Sequence, residues 1–213
     1  MKAGRSVWVP ISTIVVMAAM AAGCSGLFHS DRQADQAYLL RAAPAKDAPA
    51  PPPGAPSLRI GRTLTSPGLD GDRIMVVNSD HRLDYYAGSR WVASIPQMIE
   101  DLAAETLRNS GAWSSVYDSQ GVFSTDYYLQ LDIRRFEADY TEGTPPKVHV
   151  VFGCAIGHRS ERTVLASFVA EATVAAGSNR VSSVIEAFES ATQIALATIA
   201  ERGRQALAVG HGG

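Results

Sequence analysis

YYLQLDIRRFE, residues 127–137, is the clearest structural signal in the chain. Its apolar side chains recur at every second position: Tyr127, Leu129, Leu131 and Ile133. Because successive side chains of a strand point to opposite faces, this alternation predicts a β-strand with one buried face. Phe136 falls out of phase with the series, which indicates a bulge or a bend close to it.

Two further segments downstream alternate in the same way, at 147–158 and 163–175, and polar loops separate the three. Three alternating segments joined by turns predict an antiparallel meander. Upstream, four shorter stretches also have strand character: residues 58–64, 74–77, 83–86 and 113–118. Gly88 and Ser89 predict a turn after the third of them.

Two helices are expected, at about 94–109 and 181–207, because apolar residues recur there at three- and four-residue spacing. Pro96 suits the first turn of the earlier helix, and Gly111 suits its end. Strand 74–77, that helix and strand 113–118 are expected to form a right-handed βαβ unit. The predicted fold class is therefore α/β, a single domain with a mixed, largely antiparallel sheet covered by two main helices.

The composition excludes several classes of protein. The chain has 213 residues, 46% hydrophobic and 19% charged, which is enough to bury a sizeable core and is not typical of disorder. A formal net charge of -2 lacks the basic excess of nucleic-acid binders. Two cysteines are too few for a disulfide framework or a cysteine-based zinc site.

Residues 1–23 have the pattern of a lipoprotein signal peptide. Lys2 and Arg5 precede an apolar run that ends in Ala21-Ala22-Gly23-Cys24. Small residues before a cysteine are typical of a bacterial lipobox, in which the cysteine receives a diacylglycerol and an N-acyl chain. The alternatives are a transmembrane anchor, for which the run is short, or a secretory signal with a chance cysteine.

The rest of the chain divides by composition. Residues 24–37 are a polar, lipidated tether, and 38–57 hold a short strand at Tyr38–Leu40 followed by a Pro/Ala-rich segment. That segment is either an extended spacer or a long loop that returns to the domain. Residues 58–208 form the globular domain, and 209–213 form a mobile tail.

No residue pattern indicates catalysis or a resident metal. Cys154 lies in an apolar strand, so it is expected to be buried and inert. His149 and His158 are not at ligand spacing, and the phosphate-loop motif of an ATPase is absent from the sequence. We expect no cofactor besides the lipid on Cys24.

Several aromatic and basic residues are assigned structural or binding roles. Trp91, Trp113 and Phe136 are expected to anchor the core. One member of each adjacent tyrosine pair on a strand must face outwards, and exposed aromatics suit a protein contact. The candidates for binding a partner protein are Tyr85, Tyr86, Tyr128, Arg134 and Arg135.

The chain resembles the ABC-type transport auxiliary lipoprotein family, the group that includes paraquat-inducible protein C. The resemblance rests on the order of its features: the lipobox, Tyr38-Leu39-Leu40, Arg-Leu-Asp-Tyr-Tyr at 82–86, Arg90-Trp91 before a helix, the strand ending in Phe136-Glu137, and an Ala-rich last helix. It covers roughly residues 35–208.

The resemblance implies a non-catalytic lipoprotein that faces the periplasm from the inner leaflet of the outer membrane. It further implies a lipid transport system in which an ABC permease and ATPase work with a mammalian-cell-entry-domain subunit, which the lipoprotein binds. Homo-oligomers are compatible with this role, and nucleic acid is not an expected partner. The alternative is a lipid-anchored hydrolase or ligand-binding lipoprotein whose site the sequence does not reveal.

The lipobox can be tested directly with Cys24→Ala. We expect this variant to lose signal-peptide processing and membrane association, because the acyl chains on Cys24 provide the anchor. Electrophoretic mobility and membrane fractionation measure both effects. Unchanged processing and unchanged membrane association would show that the lipobox assignment is wrong.

Overall fold

The computed structural model describes residues 35–45 and 48–210; the predicted signal peptide, Cys24 and residues 211–213 lie outside this range. Within it are nine strands and two helices. Their bounds in chain order are β1 Gln36–Tyr38, β2 Ser57–Ile60, β3 Leu64–Thr65, β4 Arg73–Val77, β5 Leu83–Trp91, α1 Ile95–Asn109, β6 Ser115–Tyr117, β7 Tyr127–Asp139, β8 Lys147–His158, β9 Thr163–Ala175 and α2 Val181–Gly210.

Strand β7 is the centre of the sheet. Three short parallel strands follow one another along one of its edges: β2 pairs with Tyr127–Leu129, β3 with Asp132 and Ile133, and β4 with Glu137–Asp139. The whole of the other edge is paired with β8 in an antiparallel ladder. The backbone N–H and C=O groups on both edges of β7 are thus hydrogen-bonded within the sheet.

The remaining strands extend the sheet outwards from these neighbours. Strand β9 pairs with β8, β6 pairs with β2, β5 pairs with β4, and β1 pairs with β5. The longest ladders, β7–β8 and β8–β9, are antiparallel, whereas the short ladders along the other edge of β7 are parallel. This confirms the predicted α/β class with a mixed sheet and two helices.

Both helices contribute to one core on a single face of the sheet. Helix α2 packs against β8, β9 and α1. Between the layers, the ring of Trp91 lies 5.7 Å from Phe136 and 5.2 Å from Phe188, and the two phenylalanine rings are 4.9 Å apart. All three side chains are 0% exposed. Trp113 is also buried and contacts Tyr127 edge-on.

A bulge lies in β7 where the apolar series changes phase. Ile133 pairs with Phe152 and Arg135 pairs with Val151, so Arg134 is an extra residue in the ladder. The extra residue returns Phe136 and Ala138 to the core side. The predicted bulge near Phe136 is therefore confirmed.

The strand expected at 113–118 is shorter, at Ser115–Tyr117, and two other expected strands differ more. Residues 58–64 form two strands because four steps from Ile60 to Leu64 correspond to only three steps along β7, from Leu129 to Asp132. The predicted turn at Gly88 and Ser89 is wrong. Strand β5 continues to Trp91, since its last residues are paired with β1 on one edge and with Arg73 on the other.

The expected βαβ unit is not formed by neighbouring strands. Helix α1 leads into β6, but β6 pairs with β2 rather than with β4. Strands β7 and β2 therefore separate β4 from β6 in the sheet. The local pattern predicted the elements correctly, whereas the strand order depends on β7, which comes later in the chain.

The N-terminal segment is part of this sheet. The first strand begins at Gln36, inside the predicted tether and two residues before Tyr38, because it pairs with Ser89–Trp91. Next to it, the backbone N–H of Arg41 donates to Glu189 of α2. The Pro/Ala-rich segment, where it is described, is a loop between β1 and β2. Helix α2 reaches Gly210, so residues 209 and 210, expected in the tail, are helical, and residues 211–213 lie outside the described range.

The aromatic cluster gives a stability prediction. Phe136→Ala should lower the free energy of unfolding by about 3–5 kcal/mol, because it leaves a cavity beside Trp91 and Phe188. Phe123→Ala removes the same group from a side chain that is 62% exposed and should cost less than about 1 kcal/mol. Urea denaturation of both variants measures the difference, and equal losses would contradict the packing described here.

Candidate functional site

Of the two faces of the meander, only one is covered by helices. The helices lie on one face, and the other, which we call the open face, carries the alternate side chains of β7, β8 and β9. On β7 these are Tyr128, Gln130, Asp132, Arg134, Arg135, Glu137 and Asp139. Exposed Val164, Ser167 and Val169 of β9 lie on the same face. Because the described helices leave this face to solvent, it is the candidate functional surface.

The middle of the open face is a recess over small residues. Gly153, Ala155 and Gly157 of β8 form its floor, and a cleft of about 470 Å³ extends from Tyr128 across the floor to Val164. A second cleft of about 420 Å³ continues past Arg134 and Val169. Small side chains in the middle strand and larger ones on both neighbours create the depth.

Arg134 lies flat over the backbone of the recess. A Cβ atom built on Gly153 would be 2.5 Å from a terminal nitrogen of Arg134, so the glycine leaves room for the guanidinium. The Nε of Arg134 donates to Asp132 at 3.2 Å, and the side chain is still 50% exposed. The bulge thus presents one partly neutralised cation at the edge of the recess.

Tyr128 is held in a similar way on the other side of the recess. Its hydroxyl and ring lie over Gly61, where a Cβ would be 1.8 Å from the phenolic oxygen. Next to Tyr128, the buried guanidinium of Arg59 donates to the carbonyl oxygens of Gly121 and Phe123. The loop that these bonds support exposes Val122 and Phe123 to solvent, by 88% and 62%.

A cluster of charged residues occupies the end of the open face beyond the bulge. Arg135 bonds Glu137 at 2.7 Å and lies 3.4 Å from Asp139. His149 on the adjacent strand has its Nδ1 2.9 Å from the hydroxyl of Thr173 and its Nε2 3.7 Å from Asp139. Five polar side chains from three strands are therefore in contact.

The cluster favours a neutral His149. Burial is the main cause that lowers the pKa of His149, and the charge of Arg135 adds to it, against the opposite influence of Asp139, Glu137 and Glu142. Burial alone would raise the pKa of Asp139, but hydrogen bonds from Thr141 lower it overall, together with the charges of Arg135 and of His149 in its protonated form. Asp139 is therefore ionised beside a neutral imidazole at neutral pH.

Thr173 contacts His149, and His149 in turn lies near Asp139. A hydroxyl, a base and an acid therefore follow one another as in a catalytic triad. Asp139, however, is already shared with Arg135 and with the backbone N–H of Thr141, and 3.7 Å from the histidine is too long for a hydrogen bond. The arrangement fits a structural polar network better than an activated nucleophile. Among the described residues, no group of three or more His, Cys, Asp or Glu side chains could hold a metal ion.

The other predicted site residues, Tyr85 and Tyr86, lie on β5, outside the meander. Tyr85 and Tyr86 of β5 are both half-buried and pack against the core, so neither of this pair is freely exposed. The guanidinium carbon of Arg73 is 3.9 Å from the ring centroid of Tyr85. Tyr86 contacts the hydroxyl of Tyr140 at 2.7 Å, and its pKa is raised by burial and by this hydrogen bond.

Cys154 faces the helices beneath the recess. Its side chain is buried, and burial raises the pKa of the thiol to about 12. A thiol with such a pKa is protonated at neutral pH and is a poor nucleophile.

In the part of the chain that the structure describes, no helix is both long and apolar enough to cross a bilayer.

The state of His149 predicts how stability depends on pH. Because its pKa is below the usual 6.5 in the folded protein, the unfolded chain binds the proton first as the pH falls. The free energy of unfolding should therefore decrease from about pH 7.5 to pH 5.5, and less steeply in His149→Gln. Urea titrations at steps of pH measure both slopes; identical slopes would exclude His149 as the cause.

Two solved structures are similar to this chain in fold. A protein of family DUF330 from Xanthomonas campestris has a similar structure, with a TM-score of 0.68 at 24% identity, over 81% of this chain and 94% of that one. An uncharacterized protein has a TM-score of 0.62 at 13% identity, over 80% and 99%. PelC from Paraburkholderia phytofirmans, solved as a dodecamer, has a TM-score of 0.42 at 18% identity, over 70% and 91%.

The sequence comparison identifies the family. Among proteins with curated descriptions, none matches the chain. A family profile, that of the ABC-type transport auxiliary lipoprotein component, matches residues 38–200. This range includes all three strands of the meander, helix α1 and most of α2. The chain therefore belongs to the ABC-type transport auxiliary lipoprotein family.

Proposed function

We propose that this lipoprotein is a non-catalytic partner of a mammalian-cell-entry-domain subunit in an ABC-type lipid transport system, and that it binds that subunit through the open face. Family membership makes the chain an auxiliary component of ABC-type transport. The proposal adds the kind of cargo, the partner subunit and the surface that binds it.

The open face is the observation that carries the proposal. It combines a half-buried tyrosine, a half-exposed arginine and exposed valines around a recess with a floor of glycine and alanine. Aromatic residues and arginine provide much of the binding energy in protein interfaces, and pockets that receive a partner side chain are typical of their centres. A floor of small residues allows another protein to approach the sheet closely.

The same face gives little support to the alternative of a lipid-anchored hydrolase. On this face, the contacts from Thr173 to His149 to Asp139 resemble a catalytic relay. The carboxylate of Asp139, however, is already bonded to Arg135 and to Thr141. The cleft at Tyr128 has no buried nucleophile in its lining. We therefore assign binding rather than chemistry to this surface.

The membrane part of the proposal concerns the N-terminus. The acyl chains on Cys24 would hold the protein in the inner leaflet of the outer membrane, with the domain in the periplasm. Ser25 follows Cys24, instead of the aspartate that favours retention in the inner membrane of enteric bacteria. In this arrangement the open face is available to a subunit that spans the periplasm.

Arg134→Glu tests the docking surface. We expect it to reduce capture of the mammalian-cell-entry subunit and its permease about tenfold or more, because it reverses a charge at the edge of the recess. The tagged lipoprotein is purified in mild detergent from its own envelope, and mass spectrometry quantifies the bound proteins and lipids.

Arg82→Glu is a closely matched control. Arg82 pairs with an aspartate two residues earlier at 3.2 Å, as Arg134 does, but it lies in the turn between β4 and β5. We expect this variant to retain capture within about twofold. Equal loss in both variants would exclude the open face as the docking surface. A wild-type preparation without any mammalian-cell-entry subunit would contradict the proposed function itself.

A further inference from the structure

The cleft at Tyr128 has a cationic end. Arg159 and Arg162, both in the turn between β8 and β9, line it, and none of its lining residues is an aspartate or a glutamate. The chain as a whole has a formal net charge of -2, so composition does not account for this local positive charge. A cleft lined by charge of one sign attracts ligands of the opposite sign.

Two carboxylates adjoin this turn, and each has a partner other than the arginines. The backbone oxygen of Asp126 accepts from the N–H of Arg159 at 2.9 Å, but its carboxylate is bonded to the N–H and the hydroxyl of Ser57, at 2.8 and 2.7 Å. Glu161 accepts from a threonine hydroxyl of β9 at 3.4 Å. Within the described residues, neither Arg159 nor Arg162 forms an ion pair, and both are exposed. Their guanidinium groups are therefore available to an anion.

The backbone at Arg162 favours a role for its side chain. Its φ is 55°, in the left-handed region. Glycine and asparagine adopt this conformation more readily than other residues, because a larger side chain is strained there. Strained residues other than glycine cluster at functional sites. The chain thus has a long cationic side chain at a position where the backbone alone would favour glycine.

Away from the arginines, the lining of the cleft is small and apolar. Ala155 and Gly157 form the floor, and Val164, which is 66% exposed, stands beside it. Ala155 also lines the second cleft, where Val169 continues the apolar wall. From Gly157 to Gly153 this floor extends over roughly 14 Å of strand. The groove therefore joins a cationic end to an apolar course.

We propose that this groove binds an amphiphilic phosphate ester, with the phosphate between Arg159 and Arg162 and the apolar part along the floor of the recess. Guanidinium groups donate charge-assisted hydrogen bonds to phosphate oxygens. A cleft of about 470 Å³ is in the range of small-molecule sites. The choice of a lipid as the source of the phosphate rests on the proposed function, whereas the recognition of the phosphate rests on the two arginines.

Two phosphate esters distinguish a lipid from a soluble ligand. The complete lipoprotein, purified alone in an uncharged detergent, is titrated by calorimetry with dihexanoyl phosphatidic acid and with glycerol 3-phosphate. We expect the lipid to bind at least about tenfold more tightly, because its chains cover apolar surface of the groove. Equal affinities would assign the cleft to a soluble phosphate ester and overturn the lipid. Absence of binding by both compounds would overturn the whole inference.

Arg159→Gln and Arg162→Asn test the cationic end. Each should weaken the binding of both compounds about fivefold to tenfold, and asparagine suits the left-handed backbone at position 162. Arg180→Gln is the matched control, since Arg180 is also exposed and without an ion pair in the described range but lies immediately before α2. It should change affinity less than about twofold. An equal loss in the control would indicate non-specific attraction and contradict the site.

Val164→Ser tests the apolar course. It should weaken the binding of dihexanoyl phosphatidic acid about threefold and leave that of glycerol 3-phosphate unchanged, because it removes only apolar surface. An unchanged affinity for the lipid would contradict the placement of its chains. These titrations contain no partner subunit, so their failure overturns this inference and leaves the docking proposal standing. Normal titrations with a failed subunit capture would have the opposite meaning.

Discussion

The backbone hydrogen bonds on the two edges of β7 are the constraint on which the rest of the fold depends. One edge forms an antiparallel ladder with β8 along its whole length, with one bulge at Arg134, and the other is divided among β2, β3 and β4. Every other described strand is attached through one of these four neighbours. The aromatic cluster around Phe136 fixes which face of β7 meets the helices, and thus which face remains open.

The bulge at Arg134 connects this architecture to the candidate surface. Without the extra residue, the second half of β7 would turn Phe136 to solvent and its charged residues into the core. With it, Arg134 lies over Gly153 and the ion pairs of Arg135 begin immediately afterwards. One local irregularity therefore serves both the packing of the core and the pattern of charge on the open face.

Local patterns predicted the elements better than their arrangement. The meander, both helices and the bulge follow from alternation and helical spacing within single segments, and Tyr128 and Arg134 were assigned to the outer face by the same reasoning. The break after Ile60 and the passage of β5 through Gly88 depend on pairing with distant strands, which no local window contains. Likewise, Gly153 leaves room for the side chain of Arg134 and Gly157 for the backbone of Thr163, both on neighbouring strands. Tyr85 and Tyr86 are covered by Arg73 and Tyr140.

The division of one β7 edge among three earlier strands has a consequence for the order of folding. Strands β2, β3 and β4 all precede β7 in the chain, and the edge of each that faces β7 is paired only after residues 127–139 have been made. During synthesis from the N-terminus, the backbone groups on these edges therefore stay exposed to water until the second half of the domain follows. Such non-local pairing is typical of slow folding, so a holding chaperone would have its greatest value while this half is still alone.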